Sequence, residues 1–225
     1  MVLWGCDGPP PAAPTVSTAT GGADPQTGVV RYLALGDSVS QGIGAKDPET
    51  GSFPALLAEK WRAKGCQVEL KNPAVAGYEA DDVVREELPE IAAFKPTLIT
   101  FQVGANDIVN GVQIETYRQN IRTILDAAKA SGARVLVLPM NEWFRSPQGR
   151  NAGRGLSTKR AAFDDVLLEE TQAKAAEWVD LRLLYRQEAD ANQWFAEDGI
   201  HPTGDCYAAW AAEIARVIPA PCGKK

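Results

Sequence analysis

Short apolar runs alternate with amphipathic stretches along the chain from Val29 onwards. The apolar runs are rich in β-branched residues, as in buried strands, and the amphipathic stretches repeat apolar residues at helical spacing. This alternation predicts an α/β fold, a parallel sheet covered by helices on both faces. The predicted strands are Val29–Leu35, Gln67–Lys71, Thr97–Val103, Arg134–Pro139 and about Glu177–Leu181. The predicted helices lie near residues 53–64, 79–93, 113–131, 157–176 and 203–217.

The fifth predicted helix has the clearest ends. Thr203 is of a type that often caps helices, and Pro219 ends the pattern. Its aromatic residues Tyr207 and Trp210 fall on one side with aliphatic residues, so we expect them to pack in the core. The longest irregular stretch predicted inside the domain is residues 141–156, which are rich in Gly, Arg, Asn and Ser.

The length of 225 residues fits one domain, which we place at residues 29–218, followed by a tail at 219–225. An apolar fraction of 45% and a charged fraction of 23% are ordinary for a globular protein. No run approaches the roughly 20 apolar residues of a membrane span. The net charge of −6 argues against a nucleic-acid or anionic-lipid partner, because phosphate binding needs clustered Lys and Arg.

Residues 1–28 are dominated by Pro, Gly, Ala and Thr and predict a disordered tether. Its start, Leu3-Trp4-Gly5-Cys6, is similar to the end of a bacterial lipoprotein signal, which implies export to the periplasm or cell surface with a lipid anchor at Cys6. The alternative is a short disordered tail with an incidental cysteine.

The other three cysteines, Cys66, Cys206 and Cys222, fit neither a zinc pattern nor a dense disulfide framework. In an exported protein, a bridge between Cys206 and Cys222 could tie the tail to the last helix. The span of that helix makes the geometry demanding, and free buried thiols are the alternative.

Four polar motifs fall where predicted strands end or in the loop that enters the last helix. Because right-handed crossovers leave the carboxyl ends of parallel strands on one edge of the sheet, all four can face one cleft. They are Gly36-Asp37-Ser38, Asn72-Pro73-Ala74-Val75-Ala76-Gly77, Gly104-Ala105-Asn106-Asp107 and Asp198-Gly199-Ile200-His201-Pro202.

The chain contains one histidine, so any serine–histidine chemistry must use His201. Gly199 permits a turn that folds the Asp198 carboxylate back onto the imidazole. Such a carboxylate fixes the tautomer and stabilises the imidazolium, leaving the other ring nitrogen free to take a proton from Ser38. Pairs of this spacing also occur as surface salt bridges or metal ligands, but zinc is disfavoured because no second histidine exists. We expect no metal or cofactor.

Acyl transfer also needs donors for the oxyanion of the transition state. The backbone amides of Ser38 and Gly77 and the side-chain amide of Asn106 are candidates. Each has a simpler alternative: Gly77 could serve only a positive φ, and Asn106 could cap its own loop.

Together the four motifs resemble the SGNH, or GDSL-type, hydrolases, in order and spacing, from Val29 to Ile218. The resemblance implies a three-layer flavodoxin-like fold with a five-stranded parallel sheet. It also implies that Ser38 is the nucleophile, His201 the base and Asp198 the orienting acid, with Ser38, Gly77 and Asn106 as the oxyanion hole. Val39 stands where the family often has Leu, and Asp205-Cys206-Tyr207 differs from the Gly-Tyr often found after the histidine.

The resulting hypothesis is a serine esterase with an acyl-enzyme on Ser38, acting on a small-molecule, carbohydrate or lipid ester. Acetylated carbohydrates, lysophospholipids and thioesters are alternatives within the family, and a ligand-binding domain with a retained cleft is the non-enzymatic one. Ile108, Val109 and Val112 could line an apolar groove or bury into the neighbouring helix. Trp143 or Phe144 could line a substrate pocket, although core packing is the simpler interpretation.

Overall fold

The structure is a computed structural model that describes residues 22–24, 27–151, 154–187 and 194–222. Most of the predicted tether, including Cys6, and residues 223–225 of the tail lie outside these residues. Within them, no helix is long and apolar enough to cross a membrane.

A five-stranded parallel sheet forms the centre of the fold, as the sequence predicts, in the order β2-β1-β3-β4-β5. The strands are β1 (Val29–Gly36), β2 (Gln67–Lys71), β3 (Leu98–Gln102), β4 (Arg134–Val137) and β5 (Glu177–Trp178). This is the flavodoxin-like order, in which ligands bind where the direction of winding reverses, between β1 and β3. The motifs that follow these two strands contain Ser38 and Asn106.

Eleven α-helices lie within the described residues. They are α1 (Ser38–Gln41), α2 (Pro48–Gly51), α3 (Phe53–Ala63), α4 (Ala80–Asp82), α5 (Pro89–Phe94), α6 (Ala105–Asn110), α7 (Ile114–Ala130), α8 (Pro147–Asn151), α9 (Arg154–Ala173), α10 (Arg182–Gln187) and α11 (Gly204–Val217). A π-helical stretch, Val83–Glu87, joins α4 to α5, and a 3-10 turn, Trp143–Arg145, precedes α8. The predicted N-cap of α11 is confirmed, since the Thr203 side chain accepts a hydrogen bond from the Cys206 amide.

Two apolar cores cover the two faces of the sheet, which gives the predicted three layers. Alternate residues of β1 supply both cores, because successive side chains of a strand point to opposite faces. Tyr32 and Ala34 pack with α3 and α11, whereas Leu33 and Leu35 pack with α7 and α9. Tyr207 and Trp210 are buried in the first core, as expected from their spacing.

Two predictions of local structure were wrong. Residues 141–156 are not irregular but contain the 3-10 turn, α8 and the start of α9. The single helix predicted at residues 79–93 is interrupted by the π-helical stretch, after which Pro89 begins α5. Periodicity of 3.6 residues does not detect a π turn, because one extra residue within it rotates all that follows.

Neither alternative for the cysteines is correct for all three: the bridge considered between Cys206 and Cys222 does not form, and Cys222 is bonded to Cys66, with Cα atoms 5.5 Å apart. Cys206 lies in the first turn of α11, and Cys222 follows the far end of that helix, which rises about 20 Å. Cys66 directly precedes β2, at the edge of the sheet where α11 ends. Cys206 is the free thiol of the described cysteines, fully buried, with its Sγ 3.2 Å from the Tyr185 hydroxyl.

Candidate active site

Hydrogen bonds join the first three polar motifs at the carboxyl edge of the sheet. The Asn72 side-chain amide donates to the carbonyl of Ser40 at 2.7 Å, which ties the loop after β2 to α1. The Asn106 side-chain amide donates to the carbonyl of Tyr78 at 2.8 Å, which ties the start of α6 to the same loop. The three loops therefore meet at one edge of the sheet, as predicted, and the side chains of Asn72 and Asn106 connect them.

Ser38 is the first residue of α1 and is only 9% exposed. Asp37 caps this helix, because its Oδ1 accepts a hydrogen bond from the Val39 amide at 3.0 Å. The turn requires glycine at Gly36, where φ is +150° and an added Cβ would lie 2.3 Å from the Gln102 carbonyl oxygen. The chain can therefore turn sharply from β1 into α1 and present the Ser38 amide at a helix N-terminus.

Asp198 and His201 form a direct pair, with 2.6 Å between the Asp198 Oδ2 and the His201 Nδ1. The other oxygen, Asp198 Oδ1, accepts from the backbone amides of Ile200 at 2.8 Å and His201 at 3.0 Å. Partial burial acts to raise the Asp198 pKa, but the hydrogen bonds from the His201 ring and the two amides together lower it below its usual range. The carboxylate is thus held ionised against the imidazole.

The loop that follows α1 packs against the segment that contains His201. An added Cβ on Gly44 would lie 3.1 Å from the His201 Cβ and 2.3 Å from the Pro202 carbonyl oxygen, so these segments touch. The Tyr207 hydroxyl, from α11, donates to the Ile43 carbonyl at 2.7 Å. The segment just after Ser38 is therefore packed against the segment that contains His201.

The candidate oxyanion donors come from three neighbouring loops. Gly77 is exposed with φ of +92°, and no atom lies within 4 Å of the place that a Cβ would occupy. Asn106 lies in the first turn of α6 and bonds to the Tyr78 carbonyl rather than to its own loop. One N–H of its amide is used there, which leaves the second N–H for a ligand.

Asp107 braces the neighbouring loop. Its two carboxylate oxygens accept from the Ala80 amide at 3.2 and 3.1 Å, and the side chain is fully buried. Burial raises the Asp107 pKa to about 7. Asp107 thus holds the start of α4, which follows Gly77, in place beside Asn106.

Sequence reasoning missed two supporting residues. Asn141 was noted only as part of the segment after β4, yet its side-chain amide donates to the Ile200 carbonyl at 3.1 Å, within the Asp198–His201 turn. Glu87 was not considered, yet its Oε2 accepts from the Gly36 amide at 2.9 Å. The position of Asn141 just after a strand could have indicated a site residue. No sequence pattern indicated Glu87, because it lies in the π-helical stretch.

Some of the apolar residues considered as the lining of a groove are buried in the core, and others are exposed. Ile108 is buried in the second core and Val112 packs against it, whereas Val109 is 67% exposed. Trp143 is buried, and Phe144 is half-buried beneath the Arg160 guanidinium at 5.3 Å. No group of three or more His, Cys, Asp or Glu side chains in the described part of the chain is arranged to hold a metal ion.

Comparisons with known proteins match the chain to lipases and esterases. Residues 34–209 match the GDSL-like Lipase/Acylhydrolase family. The chain is 30% identical over 185 residues to Thioesterase 1/protease 1/lysophospholipase L1 of Escherichia coli K12, covering 80% of this chain and 81% of that protein. It is 26% identical to an arylesterase of Vibrio mimicus over 82% of this chain and 85% of that one. A lipase/acylhydrolase crystal structure from Enterococcus faecalis superposes with a TM-score of 0.71 at 21% identity, covering 84% and 94% of the two chains.

Proposed function

Since the chain belongs to the GDSL-like lipase/acylhydrolase family and is a carboxylic ester hydrolase, we propose that it acts through an acyl-enzyme formed on Ser38. The observation that carries this proposal is the 2.6 Å contact between Asp198 and His201, on a segment packed against the loop that follows Ser38. A carboxylate on one imidazole nitrogen leaves the other available as a base for a nearby hydroxyl.

The reaction proceeds in two halves. His201 takes the Ser38 proton as Oγ attacks the ester carbonyl carbon, and the carbonyl oxygen becomes an oxyanion that accepts from Ser38, Gly77 and Asn106. The C–O bond to the alcohol then breaks, and the imidazolium gives its proton to the departing oxygen. Water, deprotonated by His201, attacks the acyl-enzyme. As the second oxyanion collapses, the bond from the acyl carbon to Ser38 Oγ breaks, the imidazolium returns its proton to Oγ, and the acid is released.

Exposed apolar side chains around the site favour esters with an apolar acyl group over acetylated carbohydrates. Val75 lies two residues before Gly77, Val109 three residues after Asn106 and Ile200 directly before His201, and all three are exposed. Apolar side chains left in water at a binding site gain stability when a ligand covers them. Thioesters and lysophospholipids carry such acyl groups and are the second candidate substrates.

The decisive experiment compares the wild-type protein with Ser38→Ala on p-nitrophenyl butyrate and on a fluorophosphonate probe. We expect hydrolysis to fall by at least about 10⁴-fold and labelling to disappear. Retained hydrolysis would contradict the acyl-enzyme, and a wild-type protein that neither hydrolyses esters nor reacts with the probe would favour a ligand-binding domain. Esters from acetyl to palmitoyl, with acetylated xylan, then identify the acyl group.

Export of the protein is supported by the Cys66–Cys222 bond, because disulfides persist mainly in oxidising compartments. Attachment of a lipid to Cys6 concerns a residue outside the described part of the chain. Mass spectrometry of the protein isolated from its native membrane tests it, and an unmodified Cys6 there would contradict a lipoprotein.

A further inference from the structure

Glu87 is a fully buried acid that the proposed reaction does not use. Its Oε2 accepts a hydrogen bond from the Gly36 amide at 2.9 Å, whereas no hydrogen-bond partner for Oε1 is found among the described residues. It is the last residue of the π-helical stretch Val83–Glu87, and π-helical turns recur at functional sites. A buried carboxyl at such a place requires a reason, because burying it without full pairing is costly.

The Gly36 amide needs this acceptor because the sheet ends beside it. β1 pairs with β2 only from Val29 to Leu33, so on that side the end of β1 has no neighbouring strand. A buried amide without a partner costs about 1–3 kcal/mol. Glu87 supplies the partner from a residue 51 positions away in the chain.

The position of Gly36 decides the position of the nucleophile, since only Asp37 stands between Gly36 and Ser38. Within this turn, Asp37 Oδ1 accepts from the Val39 amide and the Ser40 hydroxyl donates to the Leu35 carbonyl at 3.3 Å. The Asn72 side chain reaches the Ser40 carbonyl, further along α1. The Glu87 bond comes from the π-helical stretch Val83–Glu87 and acts on Gly36, at the start of the turn.

We propose that Glu87 is a positioning residue, whose carboxyl holds the Gly36 amide and thereby fixes the turn that presents Ser38. The inference rests on the proposed role of Ser38. Because Glu87 is fully buried and bonds to the Gly36 backbone, we expect it to act on the geometry of attack and not on the substrate directly. Small errors in the alignment of a nucleophile are costly, and a displacement of about 1 Å can reduce the rate by about 10²-fold.

The charge state of Glu87 fits this role. Burial, with a smaller contribution from the neighbouring Asp37 and Asp82, raises its pKa to about 8, although the hydrogen bond from Gly36 acts to lower it. Near pH 7 the group is therefore mostly neutral. A neutral carboxyl accepts from the Gly36 amide without adding a buried negative charge two residues from the nucleophile.

The test replaces Glu87 by Met, which keeps the length of the side chain and removes the acceptor. We expect kcat to fall about 10- to 100-fold with KM within about twofold of the wild-type value, and fluorophosphonate labelling of Ser38 to slow by the same factor. The melting temperature should change little, because removal of a buried acid offsets the loss of the bond. Glu87→Gln retains an acceptor oxygen of the same reach and should keep kcat within about threefold.

Glu170→Met is the matched control. Glu170 is also buried, but it bonds to Arg122 between α7 and α9, away from the nucleophile. We expect it to lower the melting temperature and leave kcat unchanged. A Glu87→Met protein with kcat and labelling within about twofold of the wild type would overturn the proposal, as would a Glu87→Gln protein as impaired as Glu87→Met.

If Glu87→Met does not fold, Glu87→Asp decides, because it keeps the acid but withdraws its oxygens by one methylene. The proposal expects Asp to lower kcat more than Gln, and the reverse order contradicts it. Ester hydrolysis by the wild type and its loss in Ser38→Ala test the proposed function separately. A wild-type protein that the probe does not label refutes both, whereas a labelled one with indifferent Glu87 variants refutes only this inference.

Discussion

The two sides of the candidate site are built in opposite ways. The nucleophile side, residues 36–41, is largely buried and is held by a carboxyl from a distant helix. The acid–base side, residues 198–202, is a loop in which the Asp198 side chain is 44% exposed and the Asn141 side chain reaches in from another element with a hydrogen bond to the turn. One side is fixed by packing, and the other by a few polar contacts at the surface.

This difference is visible in the pKa values. Burial raises the pKa of Asp37 to about 7 and that of Glu87 to about 8, and the pKa of Asp107 beside them also rises to about 7. Asp198 shifts the other way, because its hydrogen bonds outweigh its partial burial. Near pH 7 Glu87 is mostly protonated and Asp37 and Asp107 are about half protonated, whereas the carboxylate that must stabilise an imidazolium stays charged.

The largest effect is expected at the acid–base side, where Asp198→Asn should reduce kcat by about 10³-fold. An amide cannot stabilise the imidazolium and can favour the wrong tautomer of His201. The loss should be smaller than that of Ser38→Ala, because water can partly solvate an imidazolium beside an exposed residue. Steady-state hydrolysis of p-nitrophenyl butyrate measures it, and a loss below about tenfold would show that Asp198 only shapes the loop.

A smaller effect is expected when the hydrogen bond from Asn141 to the acid–base loop is removed. Asn141→Ala removes the donor to the Ile200 carbonyl, and we expect kcat to fall about tenfold with a melting temperature lower by a few degrees. The control is Asn110→Ala, which removes an exposed amide that bonds to Glu79 at the rim and should leave kcat unchanged. Equal kcat values for the two variants would mean that the acid–base loop holds itself in place.

The sequence predicted the parts of the molecule that depend on local pattern. The alternation of apolar runs and helical periodicity was enough for a parallel sheet with helices on both faces, whereas the flavodoxin-like arrangement was implied by the resemblance to the family. The rule of right-handed crossovers brought the loops of Ser38, Gly77 and Asn106 to one edge. The Asp198–His201 turn could also be predicted, because the two residues are three positions apart and Gly199 between them permits a local turn.

The remaining parts depend on contacts between distant residues. Glu87 reaches Gly36 only because the π-helical stretch changes the direction of its side chain, and no periodicity shows this. Cys66 meets Cys222 because the far end of α11 and the start of β2 lie at the same edge of the sheet, which follows from the assembled fold and not from cysteine spacing. Supporting residues are therefore harder to predict than the residues they support.

The smallest expected effect is on stability, whose dependence on pH should differ between the carboxyls of the two sides. A carboxyl whose folded-state pKa is raised stabilises the protein below its unfolded pKa, near 4, and this contribution is lost as pH rises through the folded value. For Asp37, Glu87 and Asp107 the loss extends to between about pH 7 and 8. Asp198 has the opposite sign, since its contribution is present above its unfolded pKa and is lost as pH falls through its lowered folded value.

Thermal melts at pH 5, 6, 7 and 8 should therefore show a decreasing melting temperature for the wild type and a shallower decrease for Glu87→Gln, which lacks one of the titrating groups. Each such group contributes at most about 1.4 kcal/mol per pH unit to the slope. If the melting temperatures of Glu87→Gln and the wild type fall equally with pH, Glu87 is ionised from pH 5 to 8. The nucleophile side would then carry a buried negative charge, contrary to the raised pKa of Glu87.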